Sequence, residues 1–167
     1  PLGLRLPLAP AKGYVIDLET RPGDPTQPVG LKEDMVVVTP YPDRLRLAGT
    51  LELVGRDTTI DHLRTGAIRA AADRVLPPLR DRRTLSVWAG LRPCSADGLP
   101  MVGASSTMDG LLVATGHGQQ GLVLAPGTGR LIADMLAGRT SSATDAVRTA
   151  LRPDRFRTLS TVAPIKR

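Results

Sequence analysis

Alternation of apolar and polar residues dominates the N-terminal part of the chain. Leu4-Arg5-Leu6-Pro7-Leu8 and Gly13-Tyr14-Val15-Ile16-Asp17-Leu18 alternate weakly and are interrupted by prolines. Proline cannot donate to a sheet ladder, so this pattern predicts edge strands. After a Pro- and Gly-rich loop over residues 21–30, Met35-Val36-Val37-Val38-Thr39 and Arg44-Leu45-Arg46-Leu47-Ala48-Gly49-Thr50-Leu51 flank the turn Pro40-Tyr41-Pro42-Asp43. The period of two in the second run is clear, and the pair reads as a β-hairpin.

The period then changes. Over residues 59–76 the apolar positions Ile60, Leu63, Ala67, Ala71 and Val75 recur at helical spacing, with Asp57, Thr58 or Thr59 as the N-cap and Pro77-Pro78 as the stop. The pattern predicts an amphipathic helix lying on the sheet. A strand follows at Thr84 to Ala89, then a Gly- and Pro-rich passage to Gly103 in which Asp97-Gly98 reads as a turn. A short strand at residues 111–115, a glycine turn and a helix from Gly121 to Leu136 ending at Gly138 come next. Beyond Arg139 the chain is polar, with a short helix near residues 144–151 and a loose tail. These elements predict an α+β fold: residues 1–103 form an antiparallel sheet with its covering helix, 104–138 a strand, turn and helix, and 139–167 a tail.

Composition narrows the function. Aromatics make up 2% of the 167 residues, which speaks against the stacking platforms of RNA-binding sheets and single-strand grooves. The net charge of +6 would permit phosphate binding, but the arginines are scattered and their clusters sit beside Asp81 and Asp154. A solvated surface is the expectation, with no nucleic-acid partner. A single cysteine, Cys94, has no charged sequence neighbour to activate it and forms no internal disulfide. No Cys/His group has metal-ligand spacing, so a metal site is not expected. A reducing, cytoplasmic compartment is the expectation, with any membrane contact peripheral, since no apolar run is long enough to span a bilayer. The start at Pro1, with residues that already read as a strand, fits a beginning inside a larger protein.

Gly116-His117-Gly118-Gln119-Gln120-Gly121 fits G-x-G-x-x-G between a strand and a helix, the context of a dinucleotide fingerprint. The rest of a Rossmann unit is missing. Asp134, the one acid at a suitable distance, falls inside the helix, and no apolar strand follows Gly138. A glycine turn entering a helix still presents unpaired N–H groups and the positive end of the helix dipole, which favour a negative group. Local pattern alone leaves this reading and a ligand-free tight turn both open.

Three segments together bring in a resemblance. Trp88-Ala89-Gly90-Leu91-Arg92-Pro93, Asp97-Gly98-Leu99-Pro100-Met101-Val102-Gly103, and Ala114-Thr115-Gly116-His117-Gly118 continuing through Leu124-Ala125-Pro126-Gly127-Thr128-Gly129 to Ala133-Asp134 resemble the C-terminal signature of the D-amino-acid oxidase superfamily. The likeness is to its bacterial D-amino-acid dehydrogenases and glycine oxidases. Leu6-Pro7-Leu8, Lys12-Gly13-Tyr14 and Leu47-Ala48-Gly49-Thr50-Leu51-Glu52 are similar to that family's substrate-domain strands, so the resemblance runs in order over residues 4–138.

The resemblance implies a substrate-domain sheet followed by the strand and helix that return to an FAD domain, whose N-terminal segment is absent here. It implies FAD as cofactor and an amino acid as substrate, oxidised by hydride transfer from Cα to the flavin. The imine product then hydrolyses to a 2-oxo acid and ammonia. Arg92 would bind the substrate carboxylate, with Tyr14 and Tyr41 as pocket-lining candidates. Gly116, His117, Gly118, Gln119, Gln120, Gly121, Leu122 and Val123 would face the flavin. No side chain is assigned as a general base, and His117 reads as a packed turn residue. Glycine oxidases often carry a basic residue after the Gly-His pair; Gln119 and Gln120 stand there instead, leaning towards the dehydrogenase branch. A rival reading is a non-catalytic fragment or accessory subunit that requires a partner with the dinucleotide-binding half.

Overall fold

The strand β1 (Leu8–Leu18) is buried over almost its whole length. In the computed structural model, which describes residues 4, 6–76, 79–139 and 142–156, it is followed by β2 (Val29–Leu31), β3 (Val36–Pro40) and β4 (Leu45–Glu52). The helix α1 (His62–Val75) and the strand β5 (Thr84–Ser95) complete the sheet region. The five strands are ordered β2-β3-β4-β1-β5. β1 is therefore an interior strand, not the edge its prolines suggested. They are accommodated because Pro7 precedes the strand and Pro10 lies outside the Lys12–Leu18 stretch that pairs with β4.

The hairpin formed by β3 and β4 lies where the alternation placed it, with Val36 opposite Gly49 and Pro40 opposite Leu45. β2, hidden in the loop over residues 21–30, adds a short edge that the turn-rich composition concealed. Between β1 and β4 the register slips: Lys12 faces Glu52 while Tyr14 faces Gly49, so β4 carries a bulge at Thr50–Leu51. Thr50 adopts φ 67° there, a conformation rare for a β-branched residue.

One face of the sheet forms the core with α1. Tyr14, Ile16, Leu18, Val36, Val38, Leu45 and Leu47 pack with Ile68, Ala71 and Ala72. Ile68 fits over Gly49, where a methyl group would stand 3.0 Å from its Cγ1. The helix is thus rotated relative to the expected stripe: Thr65, Ile68, Ala71 and Ala72 are buried, whereas Leu63 is 85% exposed. Small residues set this face, because Ala and Thr allow the close approach that a Leu stripe would not. The N-cap is Asp61, whose carboxylate accepts from the Leu63 and Arg64 amides, rather than Asp57, Thr58 or Thr59. Asp57 instead accepts from Thr59 and from Lys12. The expected stop, Pro77-Pro78, lies outside the described residues.

By compactness the chain divides into Pro10–Arg92, which contains this core, and a second unit of Pro1–Ala9 with Pro93–Arg167. In the second unit β6 (Met101–Ala104), unforeseen in the Gly- and Pro-rich passage, pairs antiparallel with β7 (Leu112–Thr115). α2 (Gly121–Leu136) and α3 (Ser142–Leu151) follow. α2 has the expected limits, and α3 begins slightly earlier than the pattern indicated. The end of the expected tail, residues 157–167, lies outside the described residues. No helix among the described residues is long and apolar enough to cross a membrane.

Candidate functional site

Arg92 stands near the end of β5. Its guanidinium lies over the backbone of Gly13 on β1: a methyl group built there would stand 2.6 Å from Arg92 Cζ. Trp88, two pleats back along β5, covers Gly90 in a similar way, 3.2 Å from a methyl placed on it. Ala89, of opposite parity, packs against the core under α1. Alternation therefore puts Trp88, Gly90 and Arg92 on the face of the sheet turned away from that core.

Arg92 is unusual in its electrostatics. The other half-buried or buried arginines among the described residues each hold a carboxylate: Arg44 and Arg46 share Asp17, Arg69 holds Asp73, Arg82 holds Asp24, Arg148 holds Asp145 and Arg155 holds Asp97. Arg92 is half-buried with no such partner among the described residues, and its Nη1 is buried there without a hydrogen-bond acceptor. A desolvated, unpaired guanidinium is costly, and a carboxylate gripped by its two parallel N–H groups offsets that cost.

The two tyrosines are placed differently. Tyr14 is fully buried in the core cluster, where its hydroxyl donates to Glu52 Oε2 at 2.6 Å. Burial and the neighbouring Glu52 carboxylate raise its pKa. Lys12 beside it donates to Asp57 Oδ2 at 2.8 Å and to the Thr59 carbonyl, and the Asp57 hydrogen bond raises the ammonium pKa above its ordinary value. Tyr14 is thus engaged in the core and does not share the face on which Arg92 lies. Tyr41, at the β3–β4 turn, is 38% exposed and sits under the guanidinium groups of Arg44 and Arg46, at 4.6 and 5.1 Å. Arg46 also lies 5.5 Å from the Trp88 ring.

In the second unit, the glycine turn is built by close packing. Gly116 has φ 80° and Gly118 φ 53°, conformations that glycine adopts without penalty. A methyl at Gly116 would press against Leu8, Met101 and Ser95 at 3.3–3.4 Å. The Gly118 amide donates to the Pro93 carbonyl at 2.9 Å, and His117 makes a β-bridge with Cys94. His117 Nε2 lies 3.0 Å from Thr128 Oγ1 on α2, a contact that immobilises the ring against the helix. Thr128 carried no signal of this role in the sequence. Cys94 is half-buried behind the turn, its Sγ 3.5 Å from a methyl built at Gly118.

The first helical hydrogen bond of α2 runs from the Leu124 amide to the Gln120 carbonyl. The amides of Gly121, Leu122 and Val123 therefore have no acceptor within the helix. Gln120 makes no side-chain cap, and no acidic residue occupies the first turn. Leu122 and Val123 are 91% and 75% exposed. Uncapped amides at the positive end of a helix dipole fit an electron-rich heteroaromatic edge or another anionic group. Further along α2, Asp134 is held below the usual carboxylate range by Arg130 and Arg139. Among the described residues no cluster of His, Cys, Asp or Glu could hold a metal ion.

Comparison with known proteins gives this geometry a context. A family model described as FAD dependent oxidoreductase (DAO) matches residues 1–135. A D-amino acid dehydrogenase of Paramagnetospirillum magneticum is 39% identical over 144 residues, covering 85% of this chain and 34% of its own length. A glycine oxidase of Pseudomonas aeruginosa is 39% identical over 139 residues, covering 83% of this chain and 38% of its own length. The chain thus spans about a third of the length of these relatives. Among solved structures, glycine oxidase from Geobacillus kaustophilus superposes with a TM-score of 0.77 at 27% identity, over 84% of this chain and 38% of that one. L-proline dehydrogenase from P. horikoshii shares the fold at a TM-score of 0.79 and 19% identity, over 93% of this chain and 42% of that one.

Proposed function

The chain belongs to the DAO family of FAD-dependent oxidoreductases, and we propose on that footing that it supplies the substrate-anchoring and flavin-facing residues of an enzyme oxidising a D-amino acid or a glycine-like amine. The observation that carries this reading is the half-buried, unpartnered guanidinium of Arg92. Its planar fork would hold the substrate carboxylate by two parallel hydrogen bonds, fixing the Cα–H bond relative to the cofactor. FAD, when bound, would supply the acceptor for the hydride leaving Cα.

The uncapped amides of Gly121, Leu122 and Val123 would stabilise the negative charge that a reduced flavin carries, as preorganised donors at a helix start. The turn from Gly116 to Gln120 would set their position, with His117 serving as packing through Thr128. Tyr41 would border the substrate region, while Tyr14 would act within the core. The ADP part of the cofactor would be held by the part of the relatives that this chain does not span. A cytoplasmic location is proposed from the lone, unpaired Cys94.

The test is anaerobic mixing of the complete flavoprotein with D-alanine or glycine. Bleaching of the oxidised flavin band, with 2-oxo acid and ammonia released, is expected; no bleaching by either would contradict the proposal. A second reading, an accessory chain needing a partner, is favoured by the exposed apolar start of α2. It predicts that this chain purified alone stays colourless when FAD is added and acquires flavin absorbance only with a partner chain bearing the dinucleotide-binding part present.

A further inference from the structure

Gly13 interrupts an otherwise buried strand without any conformational need for glycine: its φ is not among the positive values that recur at Gly116 and Gly118. What requires glycine there is space. A Cβ at Gly13 would run into Arg92 Nη1, its nearest neighbour, and would lie 2.5 Å from Nη2 and 2.6 Å from Cζ, so the three nearest atoms all belong to the guanidinium. We propose that Gly13 is a positioning residue for Arg92, a side-chain-free seat that holds the guanidinium in the attitude from which it grips a substrate carboxylate. The inference rests on the reading of Arg92 as the carboxylate anchor.

The seat is braced from the other face of the sheet. On one side of Gly13, Lys12 is tied to Asp57 and to the Thr59 carbonyl at 2.8 and 3.1 Å. On the other, the Tyr14 hydroxyl is tied to Glu52, which also accepts from Arg64 Nε at 2.8 Å. Across the ladder stands the bulge of β4 at Thr50–Leu51. With both flanking side chains buried and bonded, the backbone at Gly13 has little freedom to retreat. An added methyl would therefore move the group that can move, the end of the flexible Arg92 side chain. The fold would be kept and the anchor displaced.

The experiment is a double-mutant cycle in the complete flavoenzyme, comparing Gly13→Ala, Arg92→Ala and the double variant on whichever of D-alanine and glycine turns over. Gly13→Ala is expected to raise KM about ten-fold with kcat changed less than about two-fold, the signature of binding lost equally in the ground and transition states. Flavin content and melting temperature should match the parent. In the Arg92→Ala background the same substitution should have no further effect, because the group it displaces is gone. An unchanged KM, an effect that persists in the Arg92→Ala background, or loss of flavin or thermal stability would each overturn the proposal. Failure of the underlying reading is distinct: Arg92→Ala alone would then leave KM as it was.

Discussion

Asp97 and Arg155 are joined by a two-pronged ion pair, Nε to Oδ2 at 2.8 Å and Nη2 to Oδ1 at 2.9 Å. It ties the turn after β5 to the turn after α3, and Arg155 also donates to the Leu99 carbonyl at 2.7 Å. The guanidinium pulls the Asp97 carboxyl down to about 2. A carboxyl whose folded pKa is depressed contributes stability above its unfolded value, and that contribution is lost as pH falls towards the folded one. Asp97→Asn should therefore lower stability by a constant amount above about pH 5. The gap from the parent should close between about pH 4 and pH 2. Denaturation midpoints measured across that range check it, and a gap that stays constant down to pH 2 would contradict it.

The rotation of α1 can be tested by two truncations on the same helix. Ile68 is 2% exposed over Gly49, whereas Leu63 is 85% exposed. Ile68→Ala should cost about 2–4 kcal/mol through lost burial and the cavity left behind. Leu63→Ala should stay within about 0.5 kcal/mol. Equal losses in thermal or urea melts would restore the stripe through Leu63 and Val75.

His117 is read as packing, held by Thr128. Thr128→Val should then cost about 1 kcal/mol of stability, the net worth of one neutral hydrogen bond. The pH dependence of kcat should keep the parent's shape. A limb of the pH–rate profile that vanishes in His117→Gln would show instead that this imidazole exchanges a proton during turnover.

Strong local patterns carried much of the fold. The β3–β4 hairpin and the limits of α2 were legible because alternation and helical spacing were bounded by a Pro-rich turn and by glycines. α1 was legible as a helix, but its buried face was not, since Ala and Thr leave several stripes nearly equivalent. β1 misled because Pro7 precedes the strand and Pro10 lies outside the stretch paired with β4, and β2 and β6 are too short to show a period. At the candidate site, Arg92 and the glycine turn could be named from motifs, yet neither the missing carboxylate partner of Arg92 nor the Thr128 contact of His117 is encoded in any local pattern. The one available hint for Gly13 was a glycine inside an apolar strand, which marks close approach of another group.

The central claim is that Arg92 is unpartnered because the substrate carboxylate completes it. The most direct measurement compares D-alanine with D-alaninamide, which lacks the carboxylate charge, in the complete parent flavoenzyme and in Arg92→Ala. The parent should favour D-alanine in kcat/KM, and Arg92→Ala should lose about 3 kcal/mol, roughly a hundredfold, on D-alanine alone. The preference for the acid would then largely disappear. If Arg92→Ala lowers turnover of both compounds equally and the preference survives, the carboxylate is held elsewhere and the account is wrong.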